Sequence, residues 1–392
     1  MNENSNPLIQ TYRRLPIKLS YGIGSYLYDE SDQAYLDMFS GIAVNALGHN
    51  HEKINKALHK QSQQFLHVSN AFLTDTQETL AKKLVLTSGL NSVFFSNSGT
   101  EAIEAALKIA RKWGKSIHPS KTEVLAFSSA FHGRSSAGMA LSYNPLYKVP
   151  FSPLLPGVTH TLFNDADALN QAVNDNVCAI FLEIIQGEGG IIPIDEVFVK
   201  SIVEAASKHN ILIVIDEIQT GLLRTGEYFG YQLFNLMPDI VTVAKALGGG
   251  LPLGATIVNK KLANVLGYGE HGSTFGGNPL ACALGNVVMD EIMSKPFKDH
   301  LKSQAAYLKT SLMNLQSTYP NIILKVRGYG LMLGIELNED KVEQVKELFI
   351  KHHVLINITR QNVLRLLPPL NIEREDLKKF LDIFEVILKS LT

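Results

Sequence analysis

Two unbroken apolar runs near the middle of the chain each end abruptly at a charged residue. The run 211–215 stops at Asp216, and the run 240–244 stops at Lys245. Runs that are apolar at every position and rich in β-branched residues are typical of strands buried on both faces of a parallel sheet. Ligands of open α/β sheets bind beyond the carboxyl ends of such strands. The pattern therefore predicts that Asp216 and Lys245 lie together at a functional edge of the sheet.

Similar segments along the first 260 residues extend this sheet. Further strands are predicted at 93–95, 123–127, 177–185 and 253–258. Amphipathic spacing predicts helices at 51–64, 76–87, 98–113, 198–209 and from 279 onward. Strands that alternate with helices indicate an α/β fold with a large, doubly wound, mostly parallel sheet and helices on both faces.

Both ends of the chain have a different pattern. Residues 26–39 predict a hairpin with an acidic turn, and residues beyond about 293 predict a compact α+β unit. We therefore expect an N-terminal segment, 1–50, that joins the small domain, a large cofactor-binding domain, 51–292, and a small C-terminal domain, 293–392.

Composition narrows the classes of function. With 392 residues, 45% of them hydrophobic, the chain can bury a large core, and no run is long enough to span a membrane. A net charge of -1 gives no reason to expect nucleic acid or an anionic membrane as partner. The polar N-terminus lacks the apolar region of a secretory signal, and two distant cysteines suggest neither a disulfide framework nor a metal site. We expect a cytoplasmic protein without metal.

Lys245 has an environment suited to covalent chemistry. Its neighbours, Ala244, Ala246 and the glycines 248–250, leave room for a ligand to reach the amine. Pyridoxal phosphate requires such a lysine and also a carboxylate on its pyridine nitrogen, for which Asp216 is the candidate. The alternative is that Asp216 caps a helix and Lys245 is a solvated loop residue.

A candidate anion site lies where the strand at 93–95 meets the next helix. Ser98 and Glu101 have the spacing of a capping box. Gly99 allows close approach of the backbone, Thr100 adds a hydroxyl, and the helix N-terminus supplies free N–H groups for an anion. The alternative is an ordinary helix cap without a ligand.

Three residues after the strand at 123–127 are further candidates. Phe131 could stack on a pyridine ring with a gain of about 1 kcal/mol. Arg134 could bind a substrate carboxylate through two hydrogen bonds. His132 is ambiguous, and core packing is the favoured interpretation.

Buried charges supply the remaining candidates. Glu183 interrupts an apolar run and Glu188 follows a glycine, so one of them is expected to pair with an arginine. Arg365, within an apolar strand, is either that partner for Glu188 or a second carboxylate receptor. Ser273 and Thr274 lie in a glycine-rich loop that could approach a ligand or a partner chain.

The motifs SGTEA, FHGR, QGEGG, IDEIQTG, AKALGGG, GSTFGGNPLA and LRLLPPL occur in this order over nearly the whole chain. Together they resemble the class III pyridoxal-phosphate aminotransferases of fold type I. The resemblance implies a homodimer with two shared active sites and a ping-pong reaction with an amino donor and 2-oxoglutarate.

Carried over motif by motif, the resemblance makes Lys245 the covalent cofactor lysine and proton carrier, and Asp216 the partner of the pyridine nitrogen. The other residues implied to contact the cofactor ring, phenolic oxygen or phosphate are Ile218, Phe131, Gln219, Gly99, Thr100 and, for the neighbouring subunit, Thr274.

For the substrates, the resemblance implies that Arg134 binds the α-carboxylate with Ser273 nearby. Glu188 and Arg365 would form a switch pair, in which the arginine receives 2-oxoglutarate in one half-reaction and is held by the glutamate in the other. No role is implied for Glu183.

The resemblance also favours one amino donor, N2-acetyl-L-ornithine, as used in arginine biosynthesis. Ile42 stands where related enzymes for free ornithine carry a tyrosine, and an apolar wall suits an acylated α-amine. Free ornithine, succinyldiaminopimelate and 4-aminobutyrate stay open as donors, as does a cofactor-binding regulator without catalysis.

Overall fold

The computed structural model describes residues 7–392. Residues 1–6, the first part of the polar N-terminus in which no secretory signal is predicted, lie outside the described residues. Strands β1 to β17 span, in chain order, Leu19–Ile23, Tyr26–Asp29, Ala34–Asp37, Ser92–Ser96, Glu123–Phe127, Val158–Thr161, Val177–Leu182, Ile185–Gln186, Ile192–Pro193, Leu212–Asp216, Ile240–Val243, Gly254–Val258, Ile323–Tyr329, Met332–Leu337, Val354–Leu355, Asn357–Thr359 and Val363–Leu366. Helices α1 to α11 span Ser40–Ala43, Glu52–Ser62, Asp75–Ser88, Gly99–Ile117, Ser136–Leu141, Ala166–Ala172, Glu196–His209, Pro279–Met293, Lys295–Thr318, Val342–Lys351 and Arg374–Ser390.

A seven-stranded sheet forms the centre of the molecule, in the order β4-β12-β11-β10-β7-β5-β6. All neighbouring pairs are parallel except those of β12, which runs antiparallel to both β11 and β4. The predicted α/β class and the mostly parallel sheet are therefore confirmed. In the register of β10 and β11, Asp216 lies opposite Thr242, so the ends of these two strands meet at one edge.

The continuous apolar runs arise because both faces of this sheet are covered. Ile213 and Ile215 pack into the hydrophobic core on one face, whereas Leu212 and Val214 pack into the core on the other. Burying one such side chain contributes about 1.5–3 kcal/mol. A polar substitution on either face would therefore lower the stability of the fold. The apolar run ends only where β10 ends.

Two strand predictions need correction. The strand predicted over 177–185 ends at Leu182, because the chain turns at Glu183 before the short strand β8 pairs with β9. The edge strand β6 was not predicted, since three of the four residues in its sequence VTHT are polar.

Two smaller sheets connect the ends of the chain. The predicted hairpin is β2 and β3, and β3 pairs in parallel with β15 from the C-terminal part, with Leu36 opposite Val354. The antiparallel sheet β13-β14-β17-β16 carries Arg365 in β17. Within residues 7–392, no helix is both long and apolar enough to cross a membrane.

Candidate active site

Asp216 and Lys245 reach the site through adjacent strand ends. Asp216 is the last residue of β10, and Lys245 begins a single 3-10 turn just beyond β11. Lys245 has a φ of 47°, in the left-handed region that costs a residue with a side chain about 1–2 kcal/mol. Such strain persists only where the surrounding structure enforces it, which is common at functional sites.

A cavity of about 490 Å³ lies beyond these strand ends. Its volume falls within the range of about 300–1,000 Å³ typical of small-molecule sites. Nine of the twelve predicted site residues line it: Gly99, Thr100, Phe131, Arg134, Glu188, Asp216, Ile218, Gln219 and Lys245. Ser273, Thr274 and Arg365 do not line this cavity.

The amine of Lys245 is free to react. Within the part of the chain that the structure describes, it forms no hydrogen bond or ion pair. Burial first, and then the charge of Arg365, lower the pKa of Lys245 to about 8, against the opposing effect of Asp216, Glu188 and Glu183. The amine is therefore neutral, and nucleophilic, in a large fraction of molecules near pH 8.

Labelling of the cofactor-free protein tests this pKa. We expect Lys245 to react with an amine-selective reagent half-maximally near pH 8, because burial favours the uncharged form. Peptide mass spectrometry across pH 6–11, with the exposed Lys302 as internal reference, gives the two titration curves. Labelling of Lys245 that follows the curve of Lys302 would contradict the prediction.

Asp216 is held in place by three hydrogen bonds. Its Oδ1 accepts from the Ile218 N–H at 3.0 Å and the Thr242 hydroxyl at 3.4 Å, and its Oδ2 lies 2.8 Å from His132 Nδ1. Asp216 is only 5% exposed, so its orientation is fixed by these contacts. The carboxylate is thus presented to the cavity as a fixed negative charge.

His132 corrects the prediction of packing alone. The ring is buried and packs edge-on against Phe181, but it also contacts Asp216. Burial by itself lowers the pKa of His132, yet the hydrogen bond and charge of Asp216, with Glu183, raise it overall. Its Nε2 has no partner within residues 7–392, so we assign the ring proton to Nδ1, which donates it to Asp216.

The N-terminus of α4 forms the predicted anion cradle. Ser98 Oγ accepts the Glu101 N–H at 3.3 Å, and Glu101 Oε2 accepts the Asn97 N–H at 2.6 Å. A Cβ on Gly99 would lie 2.7 Å from Ile218 Cδ1, so a larger residue would displace the Ile218 side chain. The N–H groups of Gly99 and Thr100 have no partner among the described residues and are therefore available to an anion.

A second hydroxyl lies beside this cradle and was missed in the sequence. Ser135 Oγ lies 2.5 Å from Thr100 Oγ1, and its backbone N–H also donates to Thr100 Oγ1 at 3.2 Å. A Cβ on Gly133, at φ 123°, would lie 2.4 Å from the same oxygen. The glycine of the FHGR motif thus allows the loop after β5 to approach the first turn of α4 closely.

Arg134 is placed to bind a carboxylate. Its guanidinium lies 3.8 Å from the Tyr147 ring centroid and 5.7 Å from that of Phe131. Cation–π contacts of this kind contribute about 0.5–1 kcal/mol at exposed sites, so they orient the group without neutralising it. No carboxylate among the described residues pairs with Arg134.

Arg365 and Glu188 form an ion pair at the rim of the cavity. Arg365 Nη1 lies 2.6 Å from Glu188 Oε1 and 3.3 Å from Gln219 Oε1. The guanidinium also donates twice to Asn357 Oδ1, at 2.9 and 2.6 Å. The sequence left two roles open for Arg365, partner of Glu188 or carboxylate receptor, and in this structure it pairs with Glu188. Glu188 lines the cavity, whereas Arg365 does not.

Ser273 and Thr274 lie apart from the cavity of their own chain. Ser273 Oγ accepts from Asn97 Nδ2 at 3.1 Å and from the Gly276 N–H at 2.9 Å. Thr274 is exposed at the surface. Asn97 itself lines the cavity, so Ser273 is one hydrogen bond away from the lining, and its place near the substrate stays a prediction. Ile42 is likewise outside the cavity lining, to which the same segment contributes Val44.

These features fit pyridoxal phosphate. The cavity contains a free amine, a fixed carboxylate at a buried strand end, a helix N-terminus with the Thr100 hydroxyl, which Ser135 contacts from outside the lining, and the side chains of Phe131 and Ile218 as apolar walls. Each corresponds to one part of the cofactor: aldehyde, pyridine nitrogen, phosphate and ring faces.

The fold and this site define an aminotransferase, and the chain belongs to the class-III aminotransferases. The model of this family, described as "Aminotransferase class-III", matches residues 9–388. The class and fold type inferred from the motifs are confirmed.

Individual relatives extend the similarity over whole chains. An acetylornithine aminotransferase of Aquifex aeolicus is 42% identical over 97% of this chain and 99% of its own. One of Methanocaldococcus jannaschii is also 42% identical, over 98% of this chain and 96% of its own.

Solved structures include enzymes of both names. An ornithine aminotransferase of Toxoplasma gondii has a TM-score of 0.94 at 30% identity, covering 98% of this chain and 93% of its own. An N-acetylornithine aminotransferase of Stenotrophomonas maltophilia has a TM-score of 0.84 at 32% identity, covering 97% of each chain.

Proposed function

We propose that the chain transfers the terminal amino group of N2-acetyl-L-ornithine to 2-oxoglutarate, giving N-acetyl-L-glutamate 5-semialdehyde and L-glutamate, a step of arginine biosynthesis. The observation that carries the reaction type is the free Lys245 amine, which shares a cavity with the fixed Asp216 carboxylate. The named relatives at about 40% identity support the donor.

The cofactor is pyridoxal phosphate, which supplies an electron-poor ring that withdraws electrons from the carbon bearing the transferred amino group. Asp216 would face the pyridine nitrogen, and Gly99, Thr100 and Ser135 would hold the phosphate. Phe131 and Ile218 would pack on the ring, with Gln219 at its phenolic oxygen.

Lys245 serves as the proton carrier in this proposal. Its lowered pKa, about 8, leaves a neutral amine that can accept a proton from carbon and return it at a neighbouring position. The strained turn at Lys245 holds the amine where it faces the cavity. The residue therefore combines covalent attachment with general acid–base catalysis.

The arginines would distinguish the two half-reactions. Arg134 would bind the α-carboxylate of the donor, since its guanidinium has no carboxylate partner among the described residues. With Glu188 paired to Arg365, the arginine charge is neutralised, which suits the side-chain end of the donor because the carbon that bears its terminal amine has no carboxylate. When Glu188 turns away, Arg365 can bind a carboxylate of 2-oxoglutarate in its place.

Free ornithine is the second candidate donor, because an ornithine aminotransferase shows a TM-score of 0.94 to this chain. We favour the acetylated donor on sequence identity, 42% against 30%, since backbone similarity reports the shared fold rather than the substrate.

A donor panel tests this choice. We expect kcat/KM for N-acetylornithine to exceed that for ornithine by about 10–200-fold, the range that one group in a pocket supplies. Ornithine, succinyldiaminopimelate and 4-aminobutyrate would be compared at saturating 2-oxoglutarate. A higher kcat/KM for any of the three would contradict the proposed donor while leaving the transaminase class intact.

We also propose a homodimer in which Thr274 reaches the phosphate of the neighbouring site. Thr274 is followed by Phe275, which is 58% exposed and lies 4.9 Å from the ring of His67. Phe72 and Leu73 nearby are 68% and 87% exposed. Exposed large apolar side chains of this kind are typical of an interface, and a second copy would cover them.

A reducing, cytoplasmic location is proposed in addition. It is supported by Cys178 and Cys282, which are both buried and free.

A further inference from the structure

Glu183 is a buried acidic residue that the roles above leave without a task. It follows β7 directly and is 7% exposed. The sequence predicts that one of Glu183 and Glu188 pairs with an arginine, and Glu188 is that residue; no arginine or lysine forms an ion pair with Glu183 within residues 7–392. Burial raises the pKa of Glu183 to about 7. Burying a carboxyl group without a cationic partner costs free energy, so the hydrogen bonds that Glu183 forms are expected to serve a function.

Its two oxygens accept hydrogen bonds from two different loops. Oε2 accepts the Phe131 N–H at 3.1 Å, and Oε1 accepts the Gly187 N–H at 3.2 Å. The first loop follows β5 and carries Phe131 and Arg134, whereas the second follows β8 and carries Glu188. One side chain therefore joins the loop that would bind the donor carboxylate to the loop that controls Arg365.

The second loop packs closely against Gln219 and against the loop that follows β5. A Cβ on Gly187 would lie 2.3 Å from Gln219 Oε1, and a Cβ on Gly189 would lie 3.0 Å from the Ser129 carbonyl oxygen. A further hydrogen bond runs from Gln186 Nε2 to the Ser128 carbonyl at 2.7 Å. A small shift of either loop thus moves Glu188, Gln219 and Phe131 relative to one another.

We propose that Glu183 is a positioning residue that sets the spacing between the Arg134 loop and the Glu188 loop, and thereby the binding of both substrates. This assignment rests on the proposed function, in which Arg134 and Arg365 are the two carboxylate receptors. Although Glu183 also lines the cavity, the assigned effect on substrate binding runs through the two backbone N–H groups whose hydrogen bonds it accepts.

The variant Glu183→Gln tests the assignment. Its amide keeps one acceptor oxygen but presents an NH₂ group to the other N–H, so one loop loses its anchor. We expect KM for at least one of the two substrates, the amino donor or 2-oxoglutarate, to rise about tenfold. We expect kcat to stay within about threefold of the parent value. Whichever amine turns over fastest in the donor panel serves as the donor.

Hydrogen exchange of the cofactor-free protein provides a readout without catalysis. In Glu183→Gln, we expect one of the two peptides, that containing Phe131 or that containing Gly187, to exchange about tenfold faster, because its loop loses a protecting hydrogen bond. Since this measurement uses no substrate, it can fail or succeed independently of the proposed donor.

Glu217→Gln is the matched control. Glu217 is also a buried glutamate at a strand end with a pKa raised by burial to about 7, and it accepts from Thr220, Gly230 and Tyr231 outside the cavity lining. We expect it to lower the melting temperature and leave KM unchanged. Should Glu183→Gln fail to fold, Glu183→Asp, whose shorter side chain reaches one loop only, replaces it. Unchanged KM and exchange in the Glu183 variant, or equal changes in both variants, would overturn the assignment.

Discussion

Replacing Lys245 with alanine is expected to lower kcat by about 10⁴-fold, the upper range for loss of a positioned acid–base group. The variant loses the amine that faces the cavity, and no other lysine lines that cavity. Single-turnover kinetics with the proposed donor and 2-oxoglutarate measure the loss in each half-reaction. Cofactor binding through the phosphate cradle should persist, because Gly99, Thr100 and Ser135 are unchanged.

Lys121→Met is the control for this variant. Lys121 is a buried lysine too, 3% exposed, but it precedes β5 at the opposite edge of the sheet and donates to the carbonyls of Asp175 and His209. Its loss is expected to cost stability and to leave kcat within a few-fold of the parent. If Lys245→Ala were as active as Lys121→Met, the assigned role of Lys245 would be wrong.

Asp216→Asn is expected to lower kcat by about 10³-fold. An amide of nearly the same shape removes the negative charge that would stabilise a protonated pyridine ring, and charge stabilisation of this kind is worth about 10²–10³-fold. The hydrogen bond from His132 Nδ1 can persist to the amide oxygen, so the fold should be largely retained. Steady-state kcat with a saturating cofactor concentration separates lost chemistry from lost affinity.

Asp239→Asn provides the comparison for the aspartate. Asp239 lies just before β11 and accepts from the Ile213 N–H, Asn259 and Lys261, all away from the cavity. We expect a lower melting temperature and near-normal kcat. A kcat for Asp216→Asn close to that of Asp239→Asn would rule out a charge-based role for Asp216.

The strand ends could be predicted from the sequence, because burial on both faces of a sheet requires continuous apolar runs, and these runs end where the strands end. That rule places Asp216 and Lys245 at one edge without knowledge of any contact. It does not give strand direction: β12 is as apolar as its neighbours yet runs antiparallel to them. Direction depends on the connecting segments, which leave little trace in periodicity.

Contacts between loops were beyond the sequence pattern. His132 and Asp216 are 84 positions apart, and nothing in their spacing predicts a hydrogen bond. The same holds for Glu183 with Phe131, which are 52 positions apart, and for Glu188 with Arg365, which are 177 positions apart. Such contacts arise from tertiary approach of segments whose local sequences are compatible with many loop conformations.

Borohydride reduction of the cofactor-loaded protein, followed by peptide mass spectrometry, is the most direct test of covalent cofactor binding by Lys245. We expect the mass of reduced pyridoxal phosphate on the peptide that contains Lys245, and none on Lys245→Ala protein. Stable attachment to a different lysine, or no attachment in the parent protein, would contradict it.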